Sequence, residues 1–322
     1  MQILTQRLWT PEEYRHPLSF GFIPSLTLYL HEDAEPRPCV IVAPGGGYEY
    51  LCVWEGEPIA LAFHRLGYQA AVCTYTTNMA TGVPVGHQAM EDLSRSVRLL
   101  RQGADQYRID PGRIAVCGFS AGGHLCGSLA VHYRDIADSR YPDTSNRPDA
   151  AILAYPVITS GVYAHRESFV SLLGSNPARK ELDYFSLEKQ VTPNTPPCFL
   201  WQTREDLIVP VQNSTLFTQA CACNRVPYAH HAFTTGAHGI GLGDEAWARG
   251  DYGGSYVEEQ CALLTRLVRQ GSLSRPGRDN RELDRFVSPK AKAALARGRV
   301  PFPEVSMWPN LADCWLKQIY SK

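Results

Sequence analysis

Short apolar runs, rich in β-branched residues, recur along the chain and alternate with segments of helical periodicity. From residue 39 onward these runs are continuously apolar, a pattern typical of strands that are buried on both faces. Strands that alternate with helices favour a mostly parallel sheet covered by helices, so the sequence predicts the α/β class. The predicted strands cover residues 25–31, 39–43, 69–75, 114–118, 150–155, 198–203 and 228–233.

Helices are predicted where apolar residues recur at spacings of three and four. The segment 88–100 places apolar residues on one helical face and charged residues on the opposite face. A second helix is predicted to begin at Glu57, because the following Pro58 is tolerated in a first helical turn. A last helix, over about residues 310–320, is predicted to close the sheet. The apolar face of the first of these helices consists of Met90, Leu93, Val97 and Leu100.

Residues 244–303 interrupt this alternation. They contain one helical pattern and a long polar and basic stretch, but no strand signal. We therefore expect one domain over residues 1–322, with a core at about 20–243 and 304–322 and an insertion or lid at about 244–303. Because long loops in compact domains are usually functional or disordered, the insertion could overhang a pocket, join two copies of the chain as a homo-oligomer, or be a solvated surface excursion.

Composition narrows the classes of function. The chain has 322 residues, with 31 Lys and Arg against 32 Asp and Glu, and a net charge of -1. A chain this neutral lacks the basic footprint of a nucleic-acid-binding protein and the polybasic attraction to an anionic membrane. No apolar stretch approaches the roughly 18 residues of a membrane helix, and the first residues lack a secretory signal pattern. We expect no nucleic-acid partner, no membrane partner and a neutral substrate.

The ten cysteines bear on the compartment and on metal binding. Most stand in apolar strings, such as Cys39 before Val-Ile-Val and Cys117 after Ile-Ala-Val, which is typical of small buried hydrophobic residues. The tightest pair, Cys221 and Cys223, lacks the CxxC and histidine spacing of a zinc site. We therefore expect reduced thiols in a cytoplasmic protein, with no bound metal.

The most informative stretch is residues 114–124. A predicted strand leads into Gly118-Phe-Ser120-Ala-Gly122, and a helix of small residues follows. This is the context of a nucleophile elbow, in which a tight turn admits only small residues beside the serine. The hydroxyl then projects above the sheet edge at the N-terminus of a helix, where negative charge is favoured. The motif predicts Ser120 as a nucleophile; the alternative is a glycine-rich turn with an idle serine.

A serine hydroxyl needs a base to remove its proton and a carboxylate to orient that base. With this elbow the carboxylate follows the serine along the chain, and the histidine comes last. Glu205 and Asp206 follow the predicted strand at 198–203, at the edge of the sheet where catalytic groups gather. Asp206 is our choice and Glu205 is its competitor.

The base is predicted in the loop after the last strand. His238 lies there between small residues, in a loop able to reach Ser120. His230 and His231 lie inside the strand and point to opposite faces, so packing or surface roles suit them better. His124 follows the elbow glycines and is expected to pack beneath the loop.

A tetrahedral oxyanion needs two backbone donors. One is the amide of Ala121, directly after the nucleophile. The other is expected from the loop after the strand at 39–43, which reads Pro44-Gly-Gly-Gly-Tyr48 and lets the backbone approach a substrate closely. A phosphate-binding loop is the rival interpretation, but neither Gly-Lys-Ser/Thr nor the Gly-x-Gly-x-x-Gly spacing is present, since Tyr50 occupies the sixth position.

Together these residues resemble the α/β-hydrolase superfamily, and more narrowly the bacterial intracellular carbohydrate esterases of the acetylxylan-esterase type. The resemblance covers about residues 20–243 and the last fifteen residues or so. It departs from lipase-like relatives at Pro44, where those carry histidine, and in the length of 244–303. The matching strings are Val42-Ala-Pro-Gly-Gly-Gly-Tyr48, Glu57-Pro-Ile-Ala-Leu-Ala-Phe63, Arg113-Ile-Ala-Val-Cys-Gly-Phe-Ser-Ala-Gly-Gly-His124, Ala154-Tyr-Pro-Val-Ile-Thr-Ser-Gly161, Val209-Pro-Val-Gln-Asn-Ser214, Thr235-Gly-Ala-His-Gly239 and Trp308-Pro-Asn-Leu-Ala-Asp-Cys-Trp-Leu316.

The resemblance implies a cofactor-independent serine esterase that removes O-acetyl groups from xylo- or related oligosaccharides, as part of xylan degradation. By resemblance, Ser120 is the nucleophile, Asp206 the orienting acid and His238 the base. The oxyanion donors are Gly46, Gly47 and Ala121, and Tyr48 lines the acyl or sugar side of the pocket.

Aromatic residues beside the glycine loop, Tyr48, Tyr50 and Trp54, could stack on sugar faces, although aromatic residues serve cores as readily as binding sites. A serine peptidase, a formamidase, a short-chain carboxylesterase and an acyl transferase could use the same triad. A non-catalytic binding module on this fold would normally lack a member of the triad.

Overall fold

A single sheet organises the chain. In the computed structural model, which describes residues 1–17, 19–79, 83–254, 256–273 and 298–321, this sheet has eight strands. They are β1 Gln2–Arg7, β2 Ser25–Leu30, β3 Arg37–Ala43, β4 Gln69–Thr74, β5 Ile109–Phe119, β6 Ala150–Ala154, β7 Cys198–Thr203 and β8 Tyr228–Phe233.

The strands lie in the spatial order β1-β2-β4-β3-β5-β6-β7-β8. β2 is antiparallel to both of its neighbours, β1 and β4, whereas every neighbouring pair from β4 to β8 is parallel. This is the arrangement of an α/β-hydrolase, so the predicted fold class is confirmed. The carboxyl ends of the parallel strands meet at one edge of the sheet, where open α/β sheets bind their ligands.

Helices connect the strands and cover the sheet. Strands β2, β4, β6 and β7 are buried at every residue, as expected for a sheet with helices on both faces. The α-helices in the described residues are α1 Glu57–Arg65, α2 Gln88–Gln102, α3 Ala104–Tyr107, α4 Ala121–His132, α5 Arg166–Leu173, α6 Arg179–Tyr184, α7 Gln212–Cys223, α8 Glu245–Arg249, α9 Glu259–Arg269 and α10 Trp308–Tyr320.

Helix α2 is buried on both of the faces that the sequence distinguishes. Its apolar stripe packs inward as predicted, but Asp92, Arg95 and Arg98 on the charged face are buried as well. Arg95 forms two hydrogen bonds with the carboxylate of Asp138, and its guanidinium lies 3.6 Å from the centroid of the Trp9 ring. Because these partners come from distant parts of the chain, helical periodicity alone could not predict that the charged face is covered.

The segment after β8 packs against the domain wherever it is described. The Gly254 amide bonds to the Glu57 carboxylate, and Gln260 bonds to both the backbone and the hydroxyl of Thr77. Leu264 belongs to a small apolar cluster with Met79. These described parts of 244–303 therefore form a packed layer beside α1 and the loop after β4. The rest of the predicted insertion, residues 255 and 274–297, lies outside the described residues.

Eight of the ten cysteines are buried, which agrees with their apolar sequence neighbours. Within the described ranges, none of the helices combines the length and the apolar character that crossing a bilayer demands.

Candidate active site

Ser120 lies at the sharp turn between β5 and α4. Its φ of 53° and ψ of -116° place it in a strained conformation that a tight strand-to-helix turn imposes. The turn leaves no room at Gly122, where a Cβ atom would overlap the carbonyls of Ala43 and Pro44 at the end of β3. The local sequence therefore raises the serine hydroxyl at the carboxyl end of the sheet, as the elbow motif predicts.

His238 connects Ser120 to Asp206 by two short hydrogen bonds. Its Nδ1 lies 2.7 Å from Asp206 Oδ2, and its Nε2 lies 2.8 Å from Ser120 Oγ. Because an ionised carboxylate can only accept, Nδ1 carries the ring proton and Nε2 accepts from the serine hydroxyl. The structure brings the three predicted residues together in the order that proton abstraction from the serine requires.

Asp206 is held by its own loop. Its second oxygen, Oδ1, accepts hydrogen bonds from the amides of Ile208 and Val209, and its side chain has no exposed surface. Glu205, the competing acid, is exposed and accepts a bond from the Gly236 amide, so it does not contact His238. Of the two acids, Asp206 is the one that contacts His238.

The glycine loop lies beside the elbow. The Gly45 amide donates to Glu55 Oε2 at 2.7 Å. Gly46 and Gly47 line the same cavity as Ser120. Gly46 has a φ of 127°, and a Cβ there would overlap the Tyr50 carbonyl, so this turn requires glycine. Ala121 opens α4, where the first amides have no partner within the helix. The three residues predicted to supply oxyanion donors therefore lie close to Ser120.

The predicted role of Tyr48 in the pocket is wrong. Its side chain is 1% exposed and lies in the core, where the hydroxyl pairs with His124 Nδ1 at 2.8 Å. The residue adopts a φ of 61°, and its ring meets Tyr75 and His124 edge-on. The ring therefore packs in the core against His124.

Tyr50 and Trp54, the other two aromatic candidates, line the cavity. The Trp54 indole donates to the carbonyl of Gly239, next to His238, at 2.9 Å. Two residues of the segment after β8 also pack against the Trp54 ring. The Arg299 guanidinium lies 5.3 Å from its centroid, and the centroid of the Tyr252 ring lies 5.4 Å from it. Trp54 is thus a fixed wall of the pocket rather than a free surface side chain.

The cavity above the serine has a volume of about 350 Å³. Its lining contains acidic side chains but no lysine or arginine among the described residues, which disfavours an anionic substrate. The residues that line it are Gly46, Gly47, Glu49, Tyr50, Cys52, Trp54, Glu55, Ser120, His165, Glu167, Ile208, His238 and Gly239.

Sequence reasoning did not find Glu55, Tyr155 or His165. Glu55 and Tyr155 share a 2.6 Å hydrogen bond beneath the site, and His165 lies at the cavity with its Nδ1 2.8 Å from Ser168 Oγ. Tyr155 stands directly after β6, at the same sheet edge as the triad, which was a usable signal. Nothing in their spacing distinguishes Glu55 or His165 from ordinary loop residues. Across the described ranges, no cluster of three or more histidine, cysteine or acidic side chains is arranged to hold a metal.

The buried His124 should make stability depend on pH. Burial lowers its pKa to about 4, from an ordinary value of 6.5. The unfolded chain therefore takes up this proton as the pH falls below 6.5, whereas the folded protein does so only near pH 4. The contribution of His124 to the free energy of unfolding is therefore lost as the pH falls from 6.5 to 4, on the order of 3 kcal/mol in all.

His124→Gln removes the titration while keeping a donor and an acceptor. We expect the unfolding free energy of wild type to fall relative to that of the variant as the pH is lowered from 7 to 4, measured by urea denaturation. Parallel curves for the two proteins would show that His124 does not titrate on unfolding.

Comparisons with known proteins indicate the family of the chain. The profile of the BD-FAE family matches residues 26–221, a range that contains Ser120 and Asp206 and ends before His238. Among solved structures, the chain is similar to an acetyl ester-xyloside bifunctional hydrolase from Caldicellulosiruptor lactoaceticus, with a TM-score of 0.69 and 34% identity over 84% of this chain and 97% of that one.

Two curated relatives are longer than this chain. An endo-1,4-beta-xylanase B of Butyrivibrio fibrisolvens is 49% identical over 79% of this chain, which covers 40% of that protein. An acetylxylan esterase of Xylanibacter ruminicola is 27% identical over 76% of this chain, which covers 49% of that protein. The chain therefore spans less than half the length of each of these relatives.

Proposed function

The chain belongs to the BD-FAE family, and from that premise we propose that it is a serine esterase that removes O-acetyl groups from xylo- or related oligosaccharides. The observation that carries the proposal is the continuous hydrogen-bonded path from Asp206 through His238 to Ser120 at the floor of the cavity. This path supplies an activated nucleophile, and the amides around it supply charge stabilisation without a cofactor.

The first half-reaction forms an acetyl-enzyme. His238 Nε2 takes the hydroxyl proton as Ser120 Oγ attacks the acetyl carbonyl carbon, and the carbonyl electron pair moves onto oxygen. The amides of Ala121, Gly46 and Gly47 stabilise that oxyanion. The bond from carbon to the sugar oxygen then breaks, and His238 donates its proton to the leaving sugar hydroxyl.

The second half-reaction releases acetate. His238 removes a proton from water as the water oxygen attacks the acetyl carbon of the acyl-Ser120. Collapse of the second tetrahedral intermediate breaks the bond to Oγ, and His238 returns the proton to the serine. Asp206 holds the imidazole in one tautomer and stabilises its cationic form in both steps.

The substrate class rests on three observations. The names of the acetylxylan esterase and of the acetyl ester-xyloside hydrolase point to acetylated xylose compounds. The cavity has aromatic walls at Tyr50 and Trp54, on which a sugar ring can stack. The carboxylates in its described lining, those of Glu49, Glu55 and Glu167, suit a neutral sugar better than an anionic substrate.

Mass spectrometry of acetylated xylo-, manno- and cello-oligosaccharides tests the substrate class. We expect loss of acetate from the xylo-oligosaccharides, and no loss with the Ser120→Ala variant. Turnover of an aminoacyl anilide or a formamide without any deacetylation of sugars would favour a peptidase or a formamidase. Transfer of acetyl to an added sugar acceptor in preference to water would favour an acyl transferase.

Trp54 is expected to bind the sugar rather than the acetyl group. Trp54→Ala should raise KM for an acetylated xylo-oligosaccharide about five- to tenfold, because it removes a rigid aromatic face. The kcat/KM of this variant for p-nitrophenyl acetate should change less than about threefold, because that substrate has no sugar ring to contact Trp54. Steady-state kinetics with the two substrates measure the difference.

Trp54→Phe is the matched control, since it also lacks the indole donor to Gly239 but keeps a ring. Partial recovery of KM in this variant is expected. Equal losses on both substrates in both variants would show instead that the indole serves only to hold the His238 loop.

The compartment and the oligomeric state complete the proposal. The buried cysteines support a reducing cytoplasm, and the layer formed after β8 offers a surface for a contact between two copies of the chain. Cell fractionation tests the cytoplasmic location, and light scattering of the purified protein tests whether two copies of the chain associate.

A further inference from the structure

Glu55 is a buried carboxylate in the wall of the cavity, outside the triad. It ends the short 3-10 turn Val53–Glu55 and is only 1% exposed. Both of its oxygens are occupied: Oε2 accepts from the Gly45 amide at 2.7 Å, and Oε1 accepts from the Tyr155 hydroxyl at 2.6 Å. Burying a carboxylate is costly unless its hydrogen bonds are satisfied, so these two partners hold the carboxylate in a defined place.

The first partner belongs to the glycine loop. Gly45 is adjacent to Gly46, and a Cβ atom at Gly45 would lie 2.7 Å from Glu55 Oε2 and 3.0 Å from the Ser120 Cβ. Gly45 therefore lies tightly packed between the Glu55 carboxylate and Ser120. Since the Gly45 amide is held by Glu55, it fixes where the following amides of Gly46 and Gly47 can point.

The second partner reaches the histidine loop. The Tyr155 hydroxyl donates to Glu55 and accepts from the Gly241 amide at 2.9 Å, three residues after His238. The Tyr155 ring also contacts the His238 ring edge-on, with centroids 5.0 Å apart. A single chain of hydrogen bonds thus runs from the glycine loop, through Glu55 and Tyr155, to the loop that carries the base.

We propose that Glu55 is a positioning residue that sets the oxyanion-binding amides of the glycine loop and, through Tyr155, the loop of His238 in one mutual geometry. This inference rests on the proposed esterase function. Catalysis by preorganised donors is sensitive to small displacements, because the donors must face the oxygen where its charge develops rather than the ground-state carbonyl. Loss of the link should therefore slow the chemical step and leave substrate binding nearly unchanged.

Steady-state kinetics of four variants with p-nitrophenyl acetate test this role. Glu55→Ala should lower kcat about 100-fold with KM within about threefold of wild type, as for loss of an oxyanion donor. Glu55→Gln keeps an oxygen for the Gly45 amide and should recover part of that loss. Tyr155→Phe breaks the same chain one step further on, so the double variant Glu55→Ala/Tyr155→Phe should be no slower than Glu55→Ala alone.

Asp92→Asn is the matched control for removal of a buried carboxylate. Asp92 has no exposed surface, and its partners Trp9, Thr76 and Gln88 do not line the cavity. This variant should keep kcat within about threefold of wild type even where its melting temperature falls, because its carboxylate acts on stability alone. If Glu55→Ala does not fold, Glu55→Gln and Tyr155→Phe carry the comparison.

Three results would overturn the role of Glu55. A folded Glu55 variant with wild-type kcat would show that the link is dispensable, and a rise in KM at constant kcat would show that Glu55 acts in binding. An equal loss of kcat in Asp92→Asn would show a general effect of destabilisation. A wild-type protein without Ser120-dependent turnover would overturn the proposed function, and with it this inference.

Discussion

Ser120→Ala is expected to lower kcat/KM for acetyl esters by roughly 10⁴- to 10⁶-fold, because no other group on the hydrogen-bonded path can attack the carbonyl. The fold should survive the change, since the hydroxyl is partly open to the cavity and its removal leaves the backbone of the elbow intact. Hydrolysis of p-nitrophenyl acetate, followed beside circular dichroism, measures the loss.

Ser128→Ala is the control for Ser120→Ala. Ser128 lies on helix α4, which begins directly after Ser120; it is buried and does not line the cavity. This variant should keep wild-type activity within a few-fold. A Ser120→Ala protein that retains more than about a tenth of wild-type kcat/KM would contradict the assignment of the nucleophile, given the size of the effect expected of a triad serine.

Asp206→Asn is expected to lower kcat about 10⁴-fold, because the neutral amide neither fixes the reactive tautomer of His238 nor stabilises its cation. The substitution keeps the shape of a side chain that is fully buried and bonded to the Ile208 and Val209 amides, so the loop should hold its place. Single-turnover kinetics separate this effect on acylation from any change in substrate binding.

Glu205→Gln provides the matched comparison, one residue away and equally a carboxylate. Glu205 is exposed and bonds to the Gly236 amide rather than to His238. Its replacement should cost less than about threefold, since surface carboxylates couple weakly to their surroundings. Equal losses of kcat in the two variants, or a larger loss in Glu205→Gln, would contradict the assignment of Asp206 as the orienting acid.

The sheet and the elbow were predictable because their causes are local. Burial on both faces demands continuous apolar runs, and the overlap that a Cβ at Gly122 would produce demands glycine beside the nucleophile. The sequence did not predict strand β1, Gln2–Arg7, because four of its six residues are exposed and an exposed edge strand carries a weak apolar signal. β5 begins at Ile109, before its apolar run, because it pairs there with Arg37.

Asp206 and His238 were predictable from their order along the chain and from their places after β7 and β8. The choice of Asp206 over Glu205 depended on position, and the direct contact with His238 supports it. Position could not reveal where a side chain points inside a glycine-rich loop. Tyr48 stands directly after the three glycines, yet its positive φ turns the ring into the core, where it bonds to His124.

Glu55 illustrates the limit of reasoning from one sequence. It stands in Val-Trp-Glu-Gly-Glu-Pro, where two acidic residues precede a helix and either could be a solvated charge. Only the folded chain shows that Glu55 is buried between Gly45 and Tyr155, whereas Glu57 bonds to Tyr29 and to the Gly254 amide. The contact with Tyr155 joins residues a hundred positions apart, so no local pattern encodes it.

Covalent labelling with a fluorophosphonate, followed by peptide mapping, tests the central assignment most directly. We expect a single adduct on Ser120, formed more slowly when acetylated xylo-oligosaccharide occupies the cavity and not formed in His238→Ala. An adduct on a different residue, or an unlabelled Ser120 in a protein that still releases acetate from xylo-oligosaccharides, would contradict the account.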